Sequence, residues 1–465
     1  MIYTDTRDSS VQVSFKDAVM NGMNKITGGL YIPLSFPKLD NSFINKNSEP
    51  NFRDVAFNMA KPYCDGEIPD EDLMAIIQDA YTFSPKVVPL DNNSYVLELF
   101  HGPTCAFKDF GARFMARTMS YFNKNEDTPL HILVATSGDT GSAVGSAFHN
   151  VPGLDVTILY PEGKISLIQE KQLSTFTGNV RALKVKGTFD DCQKLVKTAF
   201  TDEDLRKKLR LSSANSINIS RLLPQSFYYM YAALCVKNRA DLNNKISDPA
   251  IIMVVPSGNF GNLTSGLIAR EMGAPIEGFV AATNTNRTIP DWIASGDYNA
   301  RPSVETYANA MDVGAPSNYE RIKAMYSLEE VRALFGSYWL DNDGIKAAIT
   351  QCNDKTGYII DPHGAIGYKA WDDIRSKGFS KDYDFNVPGI TPNIPSWSEK
   401  INEKKGIGVL LETAHPAKFG SIVAESIGRE PPVPNRLLEI MNLPDRAIPM
   451  DNDYNMFKDW LINNL

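Results

Sequence analysis

No apolar run in this 465-residue sequence approaches the roughly 18 residues that a membrane-spanning helix needs. The opening "MIYTDTRDSSVQVSF" has neither the basic stretch nor the apolar core of a secretory signal, so the expected location is the cytoplasm. Cysteine is scarce. Cys64, Cys105, Cys192, Cys235 and Cys352 are odd in number and include no CxxC pair, which disfavours a disulfide framework, a zinc site or a redox dithiol. An excess of basic charge is missing too: 47 Lys and Arg against 55 Asp and Glu leave a net charge of −8. No nucleic-acid partner is expected, because phosphate backbones are gripped by clustered Lys and Arg. No self-similarity recurs at a period of about 20–50 residues and no tract is low in complexity, so solenoids and disordered tails are disfavoured.

What is present suits a large core. The chain is 43% hydrophobic, and at about 100–200 residues per domain its length suggests two to four domains. A strand, a turn of small residues and then a helix recur in "LHILVATSGDTGSAVGSAFHN" and "IIMVVPSGNFGNLTSGLIAREMG". Continuous apolar runs such as "LDVTILYP" and "NVRALKV" predict strands covered on both faces, as in the parallel sheets of α/β proteins. Residues 1–85 carry helical patterns such as "PDEDLMAIIQDAY" without a glycine-rich turn, and read as a separate N-terminal unit. Residues 380–405, rich in Pro, Asn, Ser and charge, read as an excursion before the strand in "GIGVLLETAHP".

Two turns point to anions. In "SGNFGN", Gly258 and Gly261 let the backbone approach an anion at a helix start, where unpaired N–H groups and the dipole favour negative charge. Ser257, Asn259 and Asn262 are candidate side-chain donors to the same group, and an ordinary tight turn is the plainer alternative. "SGDTG", from Ser137 to Gly141, is a second turn of the same kind. Neither matches GxxxxGK[ST] or GxGxxG, which disfavours a P-loop hydrolase and a dinucleotide fold. Between Phe107 and Asp109 in "FHGPTCAFKDFGARFMARTM" stands Lys108, at the edge of an apolar run. It is either a snorkelling surface lysine or an amine whose proton affinity falls on burial, fit to form a Schiff base with a carbonyl cofactor. Pyridoxal 5′-phosphate would satisfy both the lysine and one of the turns. Of the histidines, His131 and His149 read as structural or exposed. His101, His363 and His415 sit inside distinctive blocks, and no two histidines have metal-ligand spacing, so no metal is expected.

Seven blocks in order, "SFKDAVMNGMNKITGGLYIP", "HGPTCAFKDFG", "TSGDTGSA", "PSGNFGN", "NAMDVGAPSNYERI", "DPHGAIGY" and "LETAHPAKF", resemble the threonine synthase family over nearly the whole chain. The resemblance implies an α/β, fold-type-II pyridoxal-phosphate enzyme: two three-layer α/β/α domains with mainly parallel sheets, plus an N-terminal domain. Its implied boundaries are 1–85 for the N-terminal domain, 86–107 with 215–379 for the large cofactor-binding domain completed by 406–425, and 108–214 for a smaller mobile domain. An insertion at 380–405 and a C-terminal helical segment at 426–465 complete the scheme. The implied reaction converts O-phosphohomoserine and water to threonine and phosphate, the last step of threonine biosynthesis, in a monomer or homodimer. A serine or threonine dehydratase, or an amino-acid phospholyase of the same fold, is the alternative.

By the same resemblance Lys108 is the Schiff-base lysine, and Gly258, Asn259, Phe260 and Gly261 form the cofactor-phosphate loop; from residue chemistry, Phe107 or a neighbouring side chain would pack against the cofactor ring. Thr413 faces the pyridine nitrogen, where a hydroxyl, unlike a carboxylate, does not hold that nitrogen protonated. Thr140, Asn215, Ser216 and Arg221 would grip the substrate phosphate, Arg221 through paired charge-assisted hydrogen bonds. Two residues depart from the common pattern. Asp139 stands where many fold relatives have Asn, so its charge state is an open question, and Cys105 replaces a larger apolar residue and reads as a packing thiol.

Overall fold

A computed structural model of the chain describes residues 1–465 other than 47, 65, 240–245, 247 and 248. The N-terminal unit opens with β1 (Tyr3–Asp5), β2 (Gln12–Val13) and β3 (Tyr31–Pro33), which pair antiparallel in the order β2-β1-β3. Strands of two or three residues are too short to show a period, which is why the sequence pattern pointed only to helices here. Among those helices is Asp70–Ala80, where Leu73, Ile76, Ile77 and Ala80 form one buried face at helical spacing.

Two larger sheets follow. The chain enters the first with β4 (Lys86–Asp91) and β5 (Ser94–Glu98), leaves it for β6 (Leu130–Ala135), β7 (Leu154–Pro161), β8 (Val180–Lys186) and β9 (Leu211–Ser213), then returns. The return supplies β10 (Ala250–Pro256), β11 (Gly278–Thr283), β12 (Phe335–Trp339), β13 (Gly389–Ile390) and β14 (Gly406–Glu412). The seven-stranded sheet runs β13-β12-β11-β10-β14-β5-β4, parallel except at its two edges. The smaller sheet, β15-β8-β7-β6-β9, is parallel throughout, and its edge strand β15 (Ile448–Asp451) comes from the far end of the chain. This corrects the expectation for 426–465: the segment is helical on either side of a strand, and it crosses to the small sheet. Residues 380–405 likewise return to the body, as β13 on the edge of the large sheet.

Both sheets are covered on both faces, and the strands show it residue by residue. In β10, Ile251, Met253 and Val255 pack to one side while Ile252 and Val254 pack to the other. In β6, Ile132 and Val134 separate in the same way from Leu133 and Ala135. Each such side chain contributes about 1.5–3 kcal/mol when fully buried, so continuous apolar strands are stable only as the middle layer of three. Helix Pro362–Lys377 covers one face of the large sheet and Gly261–Glu271 the other. On the small sheet, Asp139–Phe148 lies opposite Phe189–Thr201.

One contact is tight enough to predict from. Gly408, in β14, lies under the indole of the buried Trp371, and a Cβ there would come within 2.3 Å of the ring. Gly408→Ala is therefore expected to lower stability by about 1–3 kcal/mol, read as a fall in the urea midpoint at unchanged slope.

Candidate active site

The position of Lys108 follows from backbone pairing. The Phe107 N–H donates to the Thr413 carbonyl at 2.8 Å, the His415 N–H donates to the Cys105 carbonyl at 3.0 Å, and Ala106 bridges antiparallel to Ala414. Residues 105–107 thus lie against the chain leaving β14. Lys108 opens the next helix, Lys108–Asn123, where the chain leaves the large sheet for the small one. Cys105 takes a left-handed φ of 56° to make the turn, and its buried thiol is pushed up by burial, against the opposing pull of Arg436, which suits packing rather than reaction.

A cavity of about 630 Å³ lies between the two sheets. Phe107, Lys108 and Thr413 line it from one side, and the turn Gly258, Asn259, Phe260 and Gly261 from another. Thr140, Asn215, Ser216 and Arg221 complete the set, so all eleven residues singled out from the sequence surround one space. The Lys108 side chain is only 12% exposed, and its Nζ lies 5.1 Å from the centre of the Phe107 ring. Burial is the main cause that pushes its amine down to about 8; Asp139 opposes it, while Arg221 and Lys418 add to it. The surface-lysine alternative is thereby set aside.

The glycine turn is shaped by its neighbours. A Cβ on Gly258 would meet the Met311 Cα at 2.5 Å, so the backbone there is bare by necessity. Phe260 caps helix Gly261–Glu271 in the left-handed region, φ 59°, leaving the helix start open to the cavity. Not every donor foreseen in this turn is free. Ser257 Oγ donates to the Val255 carbonyl, and the Asn259 amide is spent on bracing: its Nδ2 donates to Ser216 Oγ at 2.7 Å while its Oδ1 accepts from the Ser317 N–H and hydroxyl. Asn262 differs. The hydroxyls of Tyr228 and Tyr229 both donate to its Oδ1, at 2.6 and 2.8 Å, which fixes the amide and leaves the buried Nδ2 with no partner at the cavity wall.

Arg221 is buried, and burial pushes its guanidinium down to about 10. One arm donates to the Ala214 carbonyl, while its Nε has no partner and no carboxylate pairs with it among the described residues. Nearby, Asn215 Oδ1 is also unpartnered, and Ser216 Oγ accepts from Asn259 and Asn318, leaving its own proton to donate. Buried polar atoms without partners are costly unless something arrives to meet them. A phosphorylated aldehyde fits these walls: an amine whose proton affinity burial has lowered stands on one side, and a bare helix start with an unpartnered amide donor on the other.

The sequence left Asp139 open, and the structure answers. Burial alone would raise its carboxyl, yet Lys418 and Lys108 together hold it well below the usual carboxylate range. Its Oδ1 accepts from Lys418 Nζ at 2.7 Å and Gln169 Nε2 at 3.0 Å, and its Oδ2 lies 3.9 Å from Lys108 Nζ. Asp139 is ionised. Lys418, fully buried, was not singled out from the sequence, because nothing in "LETAHPAKF" distinguishes a buried lysine from an exposed one. The histidine readings gain detail. His363 lines the cavity, but its Nδ1 pairs with Asp361 Oδ2 at 2.8 Å and its Nε2 accepts from the Ala310 N–H, so both nitrogens hold up the wall.

Known proteins share this architecture. The profile for "Threonine synthase N terminus" matches residues 2–81, that for "Pyridoxal-phosphate dependent enzyme" residues 86–385, and that for "Threonine synthase, C-terminal" residues 396–461. The chain is 39% identical to the threonine synthase of Haemophilus influenzae over 97% of both chains, and 36% identical to that of Escherichia coli K12 over 98% of both. The crystal structure of the E. coli threonine synthase superposes with a TM-score of 0.85 at 35% identity, covering 100% of each chain. A pyridoxal-phosphate-bound threonine synthase from Brucella melitensis also superposes at 0.85, with 33% identity over 100% of this chain and 99% of its own. With its N-terminal, cofactor-binding and C-terminal parts all matched in order, the chain belongs to the threonine synthase family of pyridoxal-phosphate-dependent enzymes.

Proposed function

We propose that this chain converts O-phospho-L-homoserine and water to L-threonine and inorganic phosphate, with Lys108 carrying pyridoxal 5′-phosphate as a Schiff base. The observation that carries the reading is the buried Lys108 amine, its proton affinity lowered by burial, facing across one cavity both a bare glycine turn and a guanidinium with no carboxylate partner among the described residues. The bound cofactor supplies a conjugated ring that takes up electron density from the carbon next to the substrate amine. The protein supplies the rest.

Lys108 would hold the cofactor aldehyde and, as a free amine, would move protons at Cα and Cβ of the substrate, a task for which an amine that titrates near 8 is suited. Gly258, Phe260 and Gly261 would offer backbone to the cofactor phosphate and Asn262 its Nδ2, while Asn259 keeps the turn in shape. The Thr413 hydroxyl would serve the ring nitrogen without the charge of a carboxylate, and Phe107 would pack beside the ring. Arg221, Asn215, Ser216 and Thr140 hold the second phosphate, which leaves Cγ as its C–O bond breaks. A proton is then added at Cγ, which completes the methyl; water oxygen adds at Cβ as its own proton leaves, Cα regains a proton, and threonine is complete. The 108–214 unit closes over the substrate and keeps water out until that step. Cytoplasmic location suits such a small-molecule reaction, and among the described residues no helix is long and apolar enough to cross a membrane.

The test is phosphate release from O-phosphohomoserine with identification of the amino-acid product. Threonine with stoichiometric phosphate supports the assignment; 2-oxobutyrate and ammonia as main products point to a dehydratase or phospholyase instead. Arg221→Lys should raise KM for O-phosphohomoserine by roughly 10- to 100-fold with a smaller change in kcat, since a lysine cannot reproduce the planar fork and a hydrogen bond to a charged group contributes about 1.5–3 kcal/mol.

A further inference from the structure

Lys418 lies where three parts of the chain meet. It belongs to the short turn Pro416–Phe419 beyond β14, its ammonium is fully buried, and it donates both to Asp139 Oδ1 at the start of helix Asp139–Phe148 and to the Thr104 carbonyl at 3.0 Å, four residues before Lys108. Asp139 is thus shared between two ammonium groups, with Lys418 at 2.7 Å and Lys108 at 3.9 Å. We propose that Lys418 is a positioning residue for the chemistry of Lys108: by holding the Asp139 carboxylate it prevents a close Lys108–Asp139 ion pair and leaves the Lys108 amine free to lose its proton.

The other charged groups around Lys108 do not compete for this role. Arg221, from the short helix Ile219–Leu222, carries positive charge only, and Asp361 is occupied by the Gly364 N–H and His363. The Phe107 ring supplies no counter-ion. Asp139 is therefore the carboxylate able to trap the amine in its protonated form, and Lys418 with Gln169 Nε2 occupies the oxygen that faces away from Lys108. Lys418 also repels the Lys108 proton directly, so the part of its effect that passes through Asp139 is the part of the Lys418→Met shift that is lost on an Asp139→Asn background.

The inference deepens the reading of Lys108 as the cofactor-bearing amine, and its test does not require cofactor. The full-length chain, freed of cofactor, is labelled with trace acetic anhydride at a series of pH values, and acetylation of Lys108 is followed by mass spectrometry against an internal free-amine standard. The expected wild-type midpoint lies near about 8. Lys418→Met should move the midpoint up by at least about one unit, a tenfold gain in proton affinity, because Asp139 then pairs with Lys108 alone. Asp139→Asn should move it down, because Lys108 then faces two cations without a counter-charge, and Lys418→Arg should restore the wild-type value. Midpoints unmoved in both Lys418→Met and Asp139→Asn would overturn the inference. If one variant does not fold, the sign of the shift in the other decides. Borohydride trapping of pyridoxal phosphate on wild-type protein is a separate measurement; its failure at Lys108 would count against the proposed function and leave the acetylation midpoints to judge Lys418.

Discussion

Lys108→Ala protein should fold with near-normal stability, show no visible absorption band from bound pyridoxal phosphate, and release phosphate from O-phosphohomoserine at least about 10³- to 10⁴-fold more slowly than wild type. The size follows from losing a positioned proton carrier, which alone contributes roughly 10²–10⁴, together with the covalent tether to the cofactor. Stability should be nearly untouched, because Lys108 faces the cavity and its removal relieves a buried cation rather than breaking a bridge closer than 3.9 Å. Steady-state phosphate assays, absorbance spectra and thermal melts together check it. Retention of more than a tenth of wild-type turnover would sink the assignment of Lys108.

The second large effect lies away from the reacting atoms. Arg321 is fully buried and has no carboxylate partner among its hydrogen bonds; it donates to the carbonyls of Tyr31 at 3.0 Å, Ser216 at 2.9 Å and Ile217, and to Asn318 Oδ1 at 2.7 Å. Asn318 in turn donates to the Asn259 carbonyl and Ser216 Oγ. One guanidinium thus fastens the N-terminal unit, the loop bearing Asn215 and Ser216, and the glycine turn. Burial pushes it down to about 9, the cost of holding a cation there. Arg321→Met fills most of the space but removes the donor from four acceptors, of which the Tyr31 carbonyl and Asn318 Oδ1 are buried and the Ser216 and Ile217 carbonyls half-buried, at about 1–3 kcal/mol for each that is left unpaired, partly offset by removing the buried charge. A net loss of about 3–5 kcal/mol is expected, seen as a fall in Tm, and with it faster loss of pyridoxal phosphate on dialysis. A variant that keeps its Tm and its cofactor would show that the three parts hold together without this residue.

These two residues mark how far the sequence could be read. Lys108 was open to two readings from residue chemistry, a snorkelling surface lysine or a Schiff-base amine, and it was the block around it, which resembles a known family, that pointed to the second. The apolar runs through "LDVTILYP" and "NVRALKV" appear as β7 and β8, since a strand covered on both faces leaves an unbroken signal. Arg321 and Lys418 were not singled out. Each is an ordinary charged residue in the sequence, and its burial is decided by which segments the fold stacks above it, information that sits hundreds of residues away. Asn259 shows the same limit from the other side: an amide in a glycine turn looks like a ligand donor, yet Ser216 and Ser317 claim it. The strand at 448–451 was hidden for a local reason. It is four residues long, contains Pro449, and has no partner nearer in sequence than β8.

That last strand bears on how the molecule is made. A ribosome delivers β6 to β9 more than two hundred residues before β15, and the apolar layer beneath them is finished only by Phe457 and Leu461, which emerge later still. During synthesis the small sheet must wait with one margin open while the large sheet is already complete at β14. The small sheet, whose helix Asp139–Phe148 brings Thr140 to the cavity, is therefore sealed after the large one.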